Sequence, residues 1–156
     1  MMNDEQIVGL VTKAFEDQAR PEHFTDYRHC CECAEHDALL ASRDLESLRL
    51  DDVNNGGWDP MCFATADGFR YYLPALVRLA LESAKLEREW YLPQLLFHLI
   101  GDGPRNRRVE ACSQPQKRAI AAFLWQVLES RIELISSYGI EEEVRRAIEI
   151  WSDQGD

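Results

Sequence analysis

The chain has 156 residues, with 17 basic against 28 acidic side chains and a formal net charge of −11. That length suits one domain, residues 1–156, with a real core, and 46% apolar with 29% charged residues fits a soluble globular chain. A surface this negative repels phosphate backbones and anionic lipid headgroups, so neither nucleic acid nor a membrane is an expected partner.

Helical periodicity dominates from the start. Asn3 and Gln6 read as a capping pair, and Ile7, Leu10, Val11, Ala14 and Phe15 fall on one face. This predicts a helix over Asp4–Ala19, ended by Arg20-Pro21 because the residue before proline is pushed out of the α region. Met1 to Asp4 carries no basic or apolar leader, which favours a cytoplasmic protein.

After a polar and aromatic connection comes the densest chemistry in the chain, His29-Cys30-Cys31-Glu32-Cys33-Ala34-Glu35-His36. Thiolate and imidazole are the ligands of zinc and related ions. On a regular helix His29, Cys33 and His36 would share a face, but His29 and His36 would stand ~10 Å apart along the axis. A more workable set takes Cys30 and Cys33 from a turn and His36 from the helix that follows. The remaining ligand would come from His23, His29, Cys62, Cys112 or His98. The candidate metal ligands are therefore Cys30, Cys33, His36 and His29. No second close ligand pair completes the set, so no cofactor is expected, and zinc is the ion the cluster would take if it took one. The competing reading makes Cys31 or Cys33 a core thiol, with His29 and His36 on the surface or at a cap. Cys30-x-x-Cys33 also has dithiol spacing, but no strand precedes it as in thioredoxin-type sites. The cluster should sit where a loop enters a helix running to about Ser42, with Cys33 turned inward.

Asp44 can cap a short turn carrying Leu45, Leu48 and Leu50, and residues 51–57 read as a loop. Thr65 or Asp67 can cap the next helix, which is apolar nearly all round and belongs in the centre of the core, with Leu76 fully buried. Pro74 within it predicts a kink or break. Tyr71-Tyr72-Leu73-Pro74 is echoed by Trp90-Tyr91-Leu92-Pro93, which suggests an aromatic pair docking while proline sets the first turn of an apolar helix. Arg78 and His98 interrupt the longest apolar runs, so none reaches the ~20 residues of a bilayer span. His98 reads as a hydrogen-bonded core histidine. Gly101 to Pro104 breaks the chain before Arg105, Arg107 and Arg108, read as a solvated basic loop. Ser113, with Gln116, caps a long helix whose stripe includes Phe123 and Leu124, ended by Gly139. A last helix spans Glu141–Trp151, with three glutamates at the positive end of its dipole. The fold class is all-α, a compact bundle of about six helices.

The run His29-Cys30-x-Glu32-Cys33-x-Glu35-His36, followed by Phe69-x-Tyr71-Tyr72-Leu73-Pro74, resembles a family of small bacterial proteins with a domain of unknown function. The resemblance covers the middle half of the chain and implies a bacterial cytosolic protein, with no activity or catalytic residue to carry over. Metalloprotease, phosphate-loop, nucleophile-elbow and dinucleotide motifs are missing. The sequence therefore favours binding over catalysis. The expected partner is a protein, and a basic one, reached with electrostatic help; an immunity-type or antitoxin-type protein is one version. The alternative is a metal-dependent enzyme or sensor built on Cys30, Cys33 and His36.

Overall fold

The computed structural model describes residues 1–86 and 89–152, with Pro104 described in its backbone only. Among them are nine α-helices: α1 (Asp4–Ala14), α2 (Cys31–Ala41), α3 (Leu50–Val53), α4 (Ala66–Ser83), α5 (Leu92–Ile100), α6 (Arg107–Glu110), α7 (Gln114–Ser130), α8 (Ile132–Tyr138) and α9 (Glu141–Ser152). Short 3-10 turns lie at Pro60–Cys62 and Gly103–Arg105. The described residues contain no strand, only an isolated antiparallel bridge between Thr25 and Ala64. The class is all-α as expected, and no helix of the described residues is long and apolar enough to cross a membrane.

The helix count exceeds the expected six at three places. The long helix expected to follow Ser113 divides at Arg131, which leaves the helical region (φ −131°, ψ 34°) and serves as the last cap of α7 and the first of α8. The Arg131 guanidinium is held by the Asp4 carboxylate at the start of α1, far off in sequence. The short α3 and α6 lie within stretches read as loops. Val53 in α3 is fully buried, and Arg43 grips Asp52 through two bonds of 2.9 and 3.1 Å. Asn106 caps α6 through the Arg108 amide.

Other corrections concern helix ends. The first helix stops at Ala14, not Ala19. Arg20 is pulled aside by hydrogen bonds to the Tyr71 hydroxyl at 3.0 Å and the Arg43 carbonyl at 2.8 Å. α4 runs unbroken through Pro74, where Leu73, Pro74 and Ala75 are all buried. Burial on several sides offsets the hydrogen bond that proline forfeits. The two aromatic-proline runs therefore differ: Pro93 lies in the first turn of α5, whereas Pro74 is mid-helix.

α7 packs between α9 and α1, α5 lies against α9, and α4 lies against α1. Buried apolar side chains from every helix join one cluster, with Leu76, Phe123 and Leu124 at its fully buried centre. Gly139 ends α8 in the left-handed region (φ 67°), where glycine is unstrained. Gly68 has a different role. A Cβ there would sit 2.6 Å from the Phe24 carbonyl oxygen, so only glycine lets α4 approach the strip that leads to the Cys/His cluster.

Candidate metal-binding sites

The cluster lies at a loop-to-helix junction. The strip before it is pinned from two sides. Asp37 on α2 accepts the backbone N–H groups of Phe24 (2.6 Å) and Thr25 (3.1 Å) on one oxygen and meets His23 Nδ1 at 2.9 Å on the other. Across from it, the Thr65 amide donates to the Phe24 carbonyl at 2.8 Å. The Thr25 hydroxyl then bonds the Cys33 carbonyl at 2.7 Å, and the His29 amide bonds the Asp26 carbonyl at 2.9 Å. The chain is thus delivered to α2 with Cys30 as its N-cap, in extended conformation, its sulfur accepting the Cys33 amide at 3.4 Å.

This geometry gathers three of the four candidate ligands. Cys30 and Cys33 sulfurs are 3.3 Å apart, Cys33 Sγ is 3.8 Å from His29 Nδ1, and donor atoms of all three residues lie within 4.8 Å of one another. Cys33 is turned to the core as expected, while His29 and Cys30 are exposed. The Cys33 amide, the His29 ring and the Cys33 thiol bring the Cys30 thiol down to about 7. The bond between the two sulfurs, then burial, pushes the Cys33 thiol up, and the bond to Cys30 raises His29. Cys30 is the thiol of the pair that ionises first, and the thiolate is the state that binds metals and attacks disulfides.

His36 is not part of this group. Its ring is fully buried between Trp58 and Phe63, with centroids at 4.4 and 4.5 Å, so it is neither a ligand beside Cys33 nor a surface or capping residue. Burial pushes its proton affinity down and holds it neutral. Neither ring nitrogen has a hydrogen-bond partner; Glu32 comes no nearer than 4.0 Å. Of the residues considered for a last ligand, His23 stacks on Tyr27 and binds Asp37. Cys112 is buried, its thiol pushed up to about 12 by that burial.

Cys62 and His98 instead meet Asp59. Asp59 is 1% exposed and His98 likewise. Asp59 Oδ1 caps the 3-10 turn through the Met61 amide at 2.9 Å. Its Oδ2 lies 2.7 Å from Gln94 Nε2 and 2.6 Å from His98 Nε2. Donor atoms of Asp59, Cys62 and His98 all fall within 4.8 Å of one another. The Tyr91 hydroxyl is wholly buried without a hydrogen-bond partner, in electrostatic reach of Asp59 and Cys62. Arg108, read from sequence as solvated, is partly buried instead. Its guanidinium donates to the Met61 carbonyl at 3.0 Å and lies 4.9 Å over the Phe69 ring. Burial lowers its proton affinity, and it counters the upward push that burial and Asp59 give the Cys62 thiol. Cys62, His98 and Arg108 line a pocket of about 760 Å³ whose other walls include Leu96, Phe97 and Ile140. The sequence reading missed Asp59 as a site residue. Its one local signal is the Asp-Pro step that caps a turn three residues before a cysteine.

The sequence matches the family of unknown function DUF6714 over residues 3–154, and the chain belongs to that family. No curated protein and no solved structure matches it.

Proposed function

We propose that the protein acts by binding, and that its working centre is a zinc-type metal site formed by His29, Cys30 and Cys33. The observation that carries this reading is the convergence of three soft donors within 4.8 Å at a capped helix start. Around one tetrahedral zinc, two thiolates stand ~3.8 Å apart and a thiolate and an imidazole ~3.6 Å. The observed 3.3 and 3.8 Å need only small side-chain shifts to reach those values. Metal binding would expel the Cys33 proton, so affinity should rise with pH. Three protein ligands leave one position at the exposed edge for water or for a donor from another molecule.

The test is metal analysis of protein purified without chelator, followed by zinc titration of wild type, H29A, C30S and H36A. Wild type and H36A that each hold one equivalent more than C30S support the reading. Wild type that takes up no zinc, or C30S that binds as wild type does, overturns it.

A second reading uses the same pair as a redox dithiol, favoured by the division of labour between an exposed thiolate and a buried thiol. Loss of two hydrogens on mild disulfide treatment, reversed by dithiothreitol, would support it. The net charge of −11 supports a basic protein partner. That reading requires association with cationic proteins that weakens steeply with salt.

A further inference from the structure

We propose that Asp59, Cys62 and His98, the first and last buried and Cys62 exposed, form a second site for a divalent transition-metal ion, open to the pocket between α5 and the start of α9. The three residues offer one oxygen, one sulfur and one nitrogen, a donor set suited to an ion of zinc-like softness. Two anionic ligands and one neutral imidazole match a dication. Three protein ligands leave a coordination position free, and Cys62 and His98 both face the pocket. A pocket ligand, or water, can take that position.

The geometry separates this reading from a cysteine protease-like relay. A relay places carboxylate and thiol on opposite nitrogens of the imidazole, with the ring between them. Here a donor oxygen of Asp59 and the sulfur of Cys62 lie within 4.8 Å of each other as well as of the ring. The three groups converge on a point. Ligand atoms of a tetrahedral zinc with oxygen and nitrogen donors stand ~3.3 Å apart. The 2.6 Å between His98 Nε2 and Asp59 Oδ2 is that of a direct hydrogen bond, so the pair must part slightly as an ion takes its place. The Cys62 thiol gives up its proton in the same step.

A plain histidine–aspartate pair would account for Asp59 and His98 but not for the other groups gathered there. The Tyr91 hydroxyl is a second, independent sign of a missing occupant. It is completely buried, it has no hydrogen-bond partner, and Asp59 and Cys62 are within its electrostatic reach. Such a group costs stability unless something satisfies it, and a metal-bound water or ligand would do so.

The experiment must silence the first site without harming the fold. H29A/C30S does this, since both side chains are exposed. Cobalt(II) is titrated into that variant under reducing, anaerobic conditions and followed by absorption. The expected result is one equivalent bound, with the visible bands of four-coordinate cobalt and a charge-transfer band from a single thiolate. Adding C62S, also at an exposed position, should abolish that band while leaving the apo melting temperature unchanged. Zinc should slow alkylation of Cys62 by at least about tenfold, because a coordinated thiolate is masked from electrophiles. A folded H29A/C30S variant that binds no cobalt overturns the proposal. So does a charge-transfer band that survives C62S.

Discussion

The two ligand clusters are built on opposite plans. His29, Cys30 and Cys33 come from five consecutive residues at a helix start, with His29 and Cys30 exposed and only Cys33 turned into the core. Asp59 and His98 come from separate elements 39 positions apart, are all but fully buried, and hold the 3-10 turn against α5. The first cluster is a local geometry that a cap and a turn suffice to make. The second exists only once the core has closed. The consequence is that damage to the buried Asp59–His98 pair of the second should be read out as lost stability, and damage to the first as lost chemistry.

The sharpest way to break this contrast is Asp59→Ala. It strips the cap from the Met61 amide and leaves His98 and Gln94 without their shared acceptor. Removing one member of a buried, hydrogen-bonded pair costs ~3–5 kcal/mol. Urea unfolding at neutral pH should show a midpoint shift of that size. A loss under ~1 kcal/mol would mean that Asp59 is not structural, and the contrast would fail.

Next in size is Asp37, which ties the strip before the first cluster to α2. Burial alone would raise its carboxyl, but the bonds from His23 and from the Phe24 and Thr25 amides hold it below the ordinary value of 3.8. A carboxylate depressed in the folded state contributes stability that is complete above the unfolded value and is lost as pH falls through and below it. Asp37→Asn should cost ~1.5–3 kcal/mol at neutral pH, the range for hydrogen bonds to a charged group. Acid titration from pH 5 downward should show a shallower stability slope in the variant. An unchanged slope would show that the strip is held by other means.

The difference in plan also explains what was legible in the sequence. The capping pairs Asn3–Gln6 and Ser113–Gln116, the Gly139 stop and the start of α2 inside the Cys/His run are all local signals, and each is where it was read. The split at Arg131 was not legible, because it depends on Asp4 at the other end of the chain. His36 was misplaced for the same reason. Its spacing from Cys33 is that of a ligand, but the residues that claim its ring, Trp58 and Phe63, arrive from the loop beyond α3. Cys62 and His98 were noticed as ligand types. Their partner Asp59 was hidden among the acidic residues of a chain that carries 28 of them, with only the Asp-Pro step to mark it.

His36 offers a middle case, chemically of the first cluster but physically of the core. Burial depresses its protonation below the ordinary 6.5 while unfolded chains keep that value. Below pH 6.5 the unfolded state therefore binds the proton first, and stability falls as pH is lowered toward the folded value. Replacing the ring by phenylalanine keeps the packing against Trp58 and Phe63 and removes two buried nitrogens without partners. Thermal melts of H36F between pH 7.5 and 5.5 should show a smaller acid-induced drop in Tm than wild type, with no loss at pH 7.5. A larger drop in the variant would indicate that His36 is protonated and paired with Glu32.

The smallest effect is the most discriminating. Without metal, H29A/C30S should lie within ~0.5 kcal/mol of wild type, as surface substitutions generally do, because neither side chain fills the core. Adding zinc to a fixed free concentration should then separate the two proteins. Wild type gains stability as RT ln(1 + [L]/Kd), ~2.7 kcal/mol at a hundredfold excess over Kd, and the variant loses whatever share the first site supplies. Differential scanning calorimetry of both proteins, with and without zinc, resolves the shares. If the variant keeps part of the zinc-induced shift and C62S removes it, two ions act on one fold from its edge and from its interior. If the variant is already several kcal/mol weaker in the absence of metal, the first cluster is part of the core after all, and the distinction between the two plans collapses.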